Sequence, residues 1–579
     1  MNEKRDQAPP QPDNTRTAKS QTAISQTVTT EPKELITATP NWLTKLDAWS
    51  GRIADQLNPI LIKETRQSLK SRQFVYTFFA LLVAAFAWTV AGSFSRMPQI
   101  YTTPSAPILM LGYFAVLAIP MLLVVPLAAY RSLEVEIDDG TLELLSISTL
   151  SPWQIILGKL ASSLLQILLY FVVLLPCMAY AYTLRGVDLL EMTLVAASLL
   201  ASAVMLTVIA IFFAPMSHSR TGRTLTLLLT VVMLFAAVAG VSVAMTLLIR
   251  NGNPLRDKEL FFVIASVVSI GGTLGHLLLT CAAAQLTPES ENRSTRLRWS
   301  VLGLSTALIF STALATTNLN YYVRGQGVVI PQQSTLYFLI ISTWALWTFA
   351  GAMFVSESAN LTPRIRRELP RSIVSRTLNT WFTPGHTTGF IFVCINVAGL
   401  FIWFSHGLRW LSGQTLEPTH FTIIQKDFDV INSLSVVFAS YLIITLILVR
   451  WLMIAIRRKQ NPRIEVGMAA LLAITILMVL IPYSVGSQLN NFQPFDYSEW
   501  QMTNWFWTLS WIYQGNDPGH TPLMVETIAS LGLLLTLVAN SKVTRAQRTA
   551  MPSRVLEEQK SLHPTEIEID VLAEDFPED

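Results

Sequence analysis

Charge is scarce in this chain of 579 residues: Asp, Glu, Lys and Arg make up only 14% of it, where a soluble domain carries about 25%. That shortage argues against a water-soluble globular enzyme. Cysteine is scarcer still, limited to Cys177, Cys281 and Cys394. All three fall inside apolar runs with no CxxC or Cys/His spacing, so neither a disulfide framework nor a metal site is expected; they read as buried thiols. No G-x-x-x-x-G-K-S/T stretch occurs, so the chain has no P-loop of its own for ATP. H-E-x-x-H and G-x-S-x-G are also missing, which removes the common patterns of membrane metalloproteases and serine hydrolases. Ionisable groups are few in the interiors of the apolar runs, mainly His276 and Glu526, whereas ion-coupled carriers place acids or bases at membrane depth. His276, in "GGTLGHLLLT", reads as a hydrogen-bonded packing residue, and Glu526 as a residue at the outer interface.

What is present is apolar length. Hydrophobic residues make up 51% of the chain, and the mean hydropathy is +0.44. A helix needs about 20 apolar residues to cross a bilayer. About twelve runs meet that need, near 74–95, 107–130, 153–183, 190–214, 224–249, 261–285, 299–317, 335–356, 389–409, 431–454, 466–486 and 523–541. The run at 389–409 is the weakest, because it ends in the aromatic and polar "FIWFSHGLRW". The expected fold is therefore all-α and polytopic, in two six-helix halves.

Loop charge sets the expected orientation. With the N-terminus in the cytoplasm, the inside segments hold Arg131, Arg220, Arg223, Arg293, Arg296, Arg298, Arg364, Arg366, Arg367, Arg371, Arg376, Arg457, Arg458, Lys459 and Arg463. The outside segments hold Arg96, Arg185, Arg250, Arg256, Lys258, Arg324, Arg409 and Lys426, and 487–522 has neither Lys nor Arg. Both termini are thus expected inside. Residues 1–50 are rich in Thr, Gln and Pro, with no apolar core, and read as a disordered cytoplasmic tail. A first membrane domain follows at 51–285, a second at 286–541, and a second cytoplasmic tail at 542–579. In the outer segment, Trp500, Trp505, Trp507, Trp511 and Tyr513 partly follow helical spacing and predict an interfacial helix.

Two cytoplasmic stretches carry more pattern than a connector needs. Before the first span comes "LNPILIKETRQSLKSRQF", with Asn58 and Pro59 opening a helix and Lys63, Glu64, Arg66, Lys70 and Arg72 set among Ile60, Leu61 and Leu69. It reads as a basic amphipathic helix in the headgroup layer, or as a positive flank that orients the first span. Between the second and third spans comes "EVEIDDGTLELLSISTLSPWQIILGK", Glu134 to Lys159. Asp138, Asp139 and Gly140 signal a turn. Thr141 caps a short helix, with Glu143 in its first turn and Leu142, Leu144, Leu145 and Ile147 as its apolar surface. Ser151 and Pro152 then start a new helix, Trp153 suits the interface, and Lys159 is placed to snorkel back to the phosphates. The pattern fits a lever that a soluble partner pushes, and it also fits an interfacial helix with no partner.

The combination resembles the permease subunit of ABC-type exporters of the type 2 family. The resemblance rests on "NPILIKETRQ", on "GTLELL…LSPWQIILGK" and on Pro176 in "LLPC", and it covers roughly 57–285. It implies that Asn58, Pro59, Lys63, Glu64 and Arg66 belong to an elbow helix. It implies also that Glu134, Gly140, Thr141, Leu142, Glu143, Leu144, Leu145, Ser151, Pro152, Gly158 and Lys159 form the coupling loop that docks on a nucleotide-binding subunit. The chain would then be a transporter subunit with no catalysis of its own. It would bind no cofactor or metal, and ATP and Mg would sit in a separate P-loop ATPase. Its other partners would be membrane lipids and either a second copy or its own second half, with no nucleic acid, in a bacterial cytoplasmic membrane. In the second half, "TPRIRRELPRSIVSRTLNTWFTPGHTTGF" (Thr362–Phe390) takes the corresponding place without the Gly-Thr-Leu and Ser-Pro pattern. A membrane scaffold or sensor is the alternative from another class, and an ion-coupled carrier the third.

Overall fold

The computed structural model describes residues 59–140, 151–216, 219–251, 257–288, 291–318, 323–324, 327–328, 331–357, 380–415, 418–459, 464–494 and 496–539, with 554 and 557. All of them lie in the compact unit Asn58–Asp579. The tail expected at 1–50 and nearly all of that expected at 542–579 fall outside the described residues.

Among the described residues, twelve helices are long and apolar enough to cross a membrane, so the chain is a helical, multi-pass membrane protein. The described strands are two short ones, Val323–Arg324 paired antiparallel with Gly327–Val328. Among the described residues the short helix Pro59–Leu69 comes first. Span 1 is Arg72–Phe94, capped at Ser71, whose Oγ accepts from Phe74 N at 3.1 Å. Span 2 runs Ala106–Asp138. Pro120 removes one helical donor, and the chain absorbs it with a wider π turn, Pro120–Val124, rather than a break. The helix therefore continues beyond the apolar run ending near 130, carrying Glu134 and Glu136 with it. Gly140 ends it at φ +66°, the left-handed conformation a glycine adopts without strain. Spans 3 to 6 are Pro152–Thr183, Leu189–Phe213, Arg220–Asn251 and Asp257–Leu286.

In the second half, spans 7 and 8 are Ser294–Asn318 and Pro331–Val355. Span 9 starts at His386 and survives its polar end: a π turn at Trp403–Gly407 leads into Leu408–Thr415. Span 10, Pro418–Arg457, is 40 residues long and includes 418–430, expected to be an outer loop. Spans 11 and 12 are Ile464–Leu489 and Thr521–Ala539. In the aromatic segment before span 12, Trp505–Tyr513 is a helix, while Trp500 lies in the 3-10 turn Glu499–Gln501, almost fully exposed. Hydroxyls pin this segment down: Tyr441 bonds the Met502 carbonyl, and Tyr497 reaches Thr508 at 3.0 Å and Thr521 at 3.2 Å.

Lipid tails are as apolar as Leu, so packing between spans comes from close contact and interhelical hydrogen bonds. One cluster joins spans 1 to 5 around Tyr113, Tyr170 and Leu199. Another joins spans 7 to 10 around Trp344, Trp347 and Phe390. Trp347 donates to Ser305 Oγ at 2.9 Å, and Trp403 to Thr312 at 3.0 Å, so the large indoles are tied to span 7. Span 6 serves both sides. Phe262 and Leu277 pack in the second-half cluster, while Leu279, Ala282 and Ala283 pack with Tyr130, Leu133 and Ile156.

Candidate functional site

The two patterned stretches, one before span 1 and one between spans 2 and 3, meet at Lys159. Span 3 begins with a capping box: Ser151 Oγ accepts from Gln154 N at 3.3 Å, and Gln154 Oε1 accepts from Ser151 N at 2.9 Å. The expected start at Ser151 and Pro152 is observed; the partner role of Gln154 was not anticipated. This cap fixes where the helix starts and therefore where Lys159 points, two turns later.

Lys159 does not snorkel to the phosphates. It is 2% exposed, and its ammonium is enclosed by acceptors from two other helices. Glu136 Oε2 lies at 3.0 Å and Glu64 Oε1 at 3.4 Å. Ser132 Oγ lies at 2.8 Å and the Ser132 carbonyl at 3.3 Å. Ser132 Oγ in turn donates to Glu64 Oε2 at 3.3 Å. Snorkelling fails because a better solution is closer: two carboxylates and a serine offer the ammonium more than it would find at a headgroup. Lys63 completes the group at 3.8 Å from Glu136, on the exposed side. Lys63 and Lys159 thus balance Glu64 and Glu136. Such a group tolerates burial only while its largely buried members, Lys159, Glu64 and Glu136, are all present.

The short helix is therefore not simply an apolar stripe resting on lipid. Its inward face carries Glu64, which is buried, and its outward face carries Lys63, Arg66, Gln67 and Lys70, which are exposed. Glu64 staples it to the end of span 2 and the start of span 3, the two flanks of segment 141–150. Arg223 adds a further tie, pairing with Asp138 at the end of span 2, while Tyr130 meets Thr226 at 3.2 Å. Glu134 is half-buried on the same helix, and Gly158 is buried beside Lys159. Thr141, Leu142, Glu143, Leu144 and Leu145 lie outside the described residues, as does Asn58.

A path leads from this corner to the second half. The Trp153 ring sits 5.4 Å from His276 of span 6, edge to face. His276 Nδ1 is 3.1 Å from Ser300 Oγ of span 7, and Ser300 is also 3.1 Å from Thr280. The expected packing role of His276 is what its surroundings show.

The second half holds a buried ion pair at its own corner. Arg298, counted by sequence among the inside-loop charges, is fully buried. Its Nη2 donates to Glu357 Oε2 at 2.6 Å and its Nη1 to the Trp381 carbonyl at 2.6 Å. Glu357 also accepts from Ser294 Oγ and, at 2.8 Å, from Gly385 N. Gly385 has φ +143°, a conformation that a side chain would strain. Arg457, at the end of span 10, donates to the carbonyls of Ser356 and Glu357. The guanidinium of Arg298 lies 5.2 Å from the Phe354 ring. This group joins the start of span 7, the end of span 8 and the start of span 9. In the first half, the helix Pro59–Leu69, the end of span 2 and the start of span 3 are joined in the same chain order. Neither pair was singled out from sequence. The available signal was a lone acid within two residues of an apolar run, as in Glu357 of "VSES".

Among the described residues no group of three or more His, Cys, Asp and Glu could hold a metal ion. No protein-family model, no curated protein and no solved structure matches the chain. The geometry of its corners therefore carries the functional argument.

Proposed function

We propose that the chain is the membrane-spanning permease subunit of an ATP-driven ABC-type exporter in a bacterial cytoplasmic membrane, working with a separate P-loop ATPase. The observation that carries this reading is the buried Lys159 group. A connector between two spans needs no more than a turn. Here both flanks of 141–150 and the preceding helix are locked together by charge, so a push on the segment moves three elements as one body. Span 3 is 32 residues long, or about 48 Å at 1.5 Å per residue, and spreads that motion through the membrane. The Trp153–His276–Ser300 contact hands part of it to spans 6 and 7. On this reading, ATP binding and hydrolysis in the partner move segment 141–150, and the chain itself makes and breaks no covalent bond.

The test lies in the segment's own residues. Replacing Leu144 or Glu143 with Arg should cut association with the ATPase at least about tenfold, since an unmatched charge placed in a docking contact costs several kcal/mol. Thermal stability of the purified chain should not change. ATPase association and ATP-linked activity at wild-type levels in both variants would refute the assignment.

A further inference from the structure

Of the outward face of the helix Pro59–Leu69, only Lys63 takes part in the Lys159 group. Lys63, Arg66, Gln67 and Lys70 follow the spacing that puts residues on one face of a helix, and all four are exposed. With Ile62 they line a shallow, largely open groove on this one stretch of chain. No acid lines it; the nearest described ion-pair partner is Glu136, 3.8 Å from Lys63. Arg66 and Lys70 make no ion pair with any described residue. Ser71 separates the groove from span 1, which opens with exposed Arg72 and then presents Val75, Tyr76 and Phe79, each more than half exposed. A cationic groove thus passes within a few residues into a surface that suits an acyl chain.

We infer that the elbow helix binds an anionic glycerophospholipid, its headgroup phosphate in the Lys63–Arg66–Lys70 groove and an acyl chain along span 1. Three observations select this occupant. The charged groups that line it are all cationic, with Gln67 as a neutral donor, which matches a phosphate monoanion with polar headgroup oxygens. The groove lies at the start of a membrane span, where a headgroup is always near. The apolar continuation has no use for a free inorganic anion or for a folded acidic protein. Lys63 belongs to both the groove and the Lys159 group, so a phosphate there competes with Glu136 for its charge. The inference needs only the membrane-spanning architecture and stands or falls apart from the ATPase reading.

The experiment is native mass spectrometry of the full chain released from detergent. It is titrated with dioleoylphosphatidylglycerol or dioleoylphosphatidylcholine, which share acyl chains and differ in net charge. The wild-type chain should retain the anionic lipid in preference to the zwitterionic one. The variant K63Q/R66Q/K70Q should lose that preference by about tenfold, while K63R/K70R keeps it. All these side chains are exposed, and unchanged melting of each variant checks that the fold is intact. Equal retention of both lipids by the wild type overturns the inference. So does an unaltered preference in the triple glutamine variant, or displacement of the lipid by millimolar inorganic phosphate. Loss of ATPase association with lipid retention unchanged would reassign the face to the partner protein.

Discussion

Replacing Lys159 with Met should lower the stability of the chain by about 3–5 kcal/mol, because it leaves two carboxylates facing each other without their counter-ion. Glu64 and Glu136 lie 3.4 and 3.0 Å from the ammonium and are themselves largely buried. A methionine fills the channel of the lysine stem but offers no proton to either acid, nor to Ser132 at 2.8 Å. Lys63 gives partial relief only, since it stands 3.8 Å from Glu136 and is mostly exposed. Replacing Lys63 itself with Met should therefore change stability by less than about 1 kcal/mol. The triple variant K159M/E64Q/E136Q removes all the buried charges together and should recover most of the loss. These differences are read from the melting of purified protein in one detergent. ATP-linked export separates glue from transmission. If the group transmits force, the triple variant regains its melting temperature while export stays low. Equal melting of K159M and wild type would show that Lys159 is not held as described.

The second large effect is expected at Arg298. Arg298→Met should also cost about 3–5 kcal/mol, since it strands the buried carboxylate of Glu357. Glu357 would keep Ser294 Oγ and the Gly385 N–H at 2.8 Å. Two hydrogen bonds do not replace a guanidinium. The Trp381 carbonyl, which accepts from Arg298 at 2.6 Å, would lose that donor as well. Glu357→Gln should destabilise less, because the amide oxygen can still accept from Gly385 while Arg298 retains Trp381. The double variant R298M/E357Q should be more stable than R298M, a coupling that a double-mutant cycle measures directly. Melting curves within about 1 kcal/mol of wild type for R298M would mean that this corner does not depend on its ion pair.

The spans were legible because each rests on one local property, a run of apolar residues long enough to cross a bilayer. The turn at Gly140 and the start at Ser151 and Pro152 were legible for the same reason, since caps act over three or four residues. Where sequence reading stopped short, the determinant was distant. Lys159 sits 95 residues from Glu64 and 27 from Ser132, and no local pattern distinguishes a lysine that snorkels from one that is enclosed. Arg298 was read as a loop charge because it lies in "RSTRLRW", among arginines on the expected inside. Its burial follows from span 8 ending in Glu357 and the chain returning past Gly385, a relation only the fold reveals. Span boundaries erred where polar residues continue a helix, as at Glu134 to Asp138 and 418–430. There the backbone hydrogen bonds run on after the hydropathy has fallen.

The corners also bear on the two halves. No residue-level repeat connects "GTLELL…LSPW" with Thr362–Phe390. Even so, each half closes the flanks of the segment between its second and third spans with a buried ion pair, lysine-centred in one and arginine-centred in the other. The arrangement is shared even though the residues are not. That is the expected outcome if both corners must stay rigid while the charges that rigidify them remain free to change.

If segment 141–150 meets a nucleotide-hydrolysing partner, as proposed, a photo-crosslinking amino acid at position 144 of the full chain in native membranes should crosslink to a P-loop ATPase, with a yield that changes when ATP is added. Crosslinks to lipid alone, or to proteins with no nucleotide-binding motif, would contradict it.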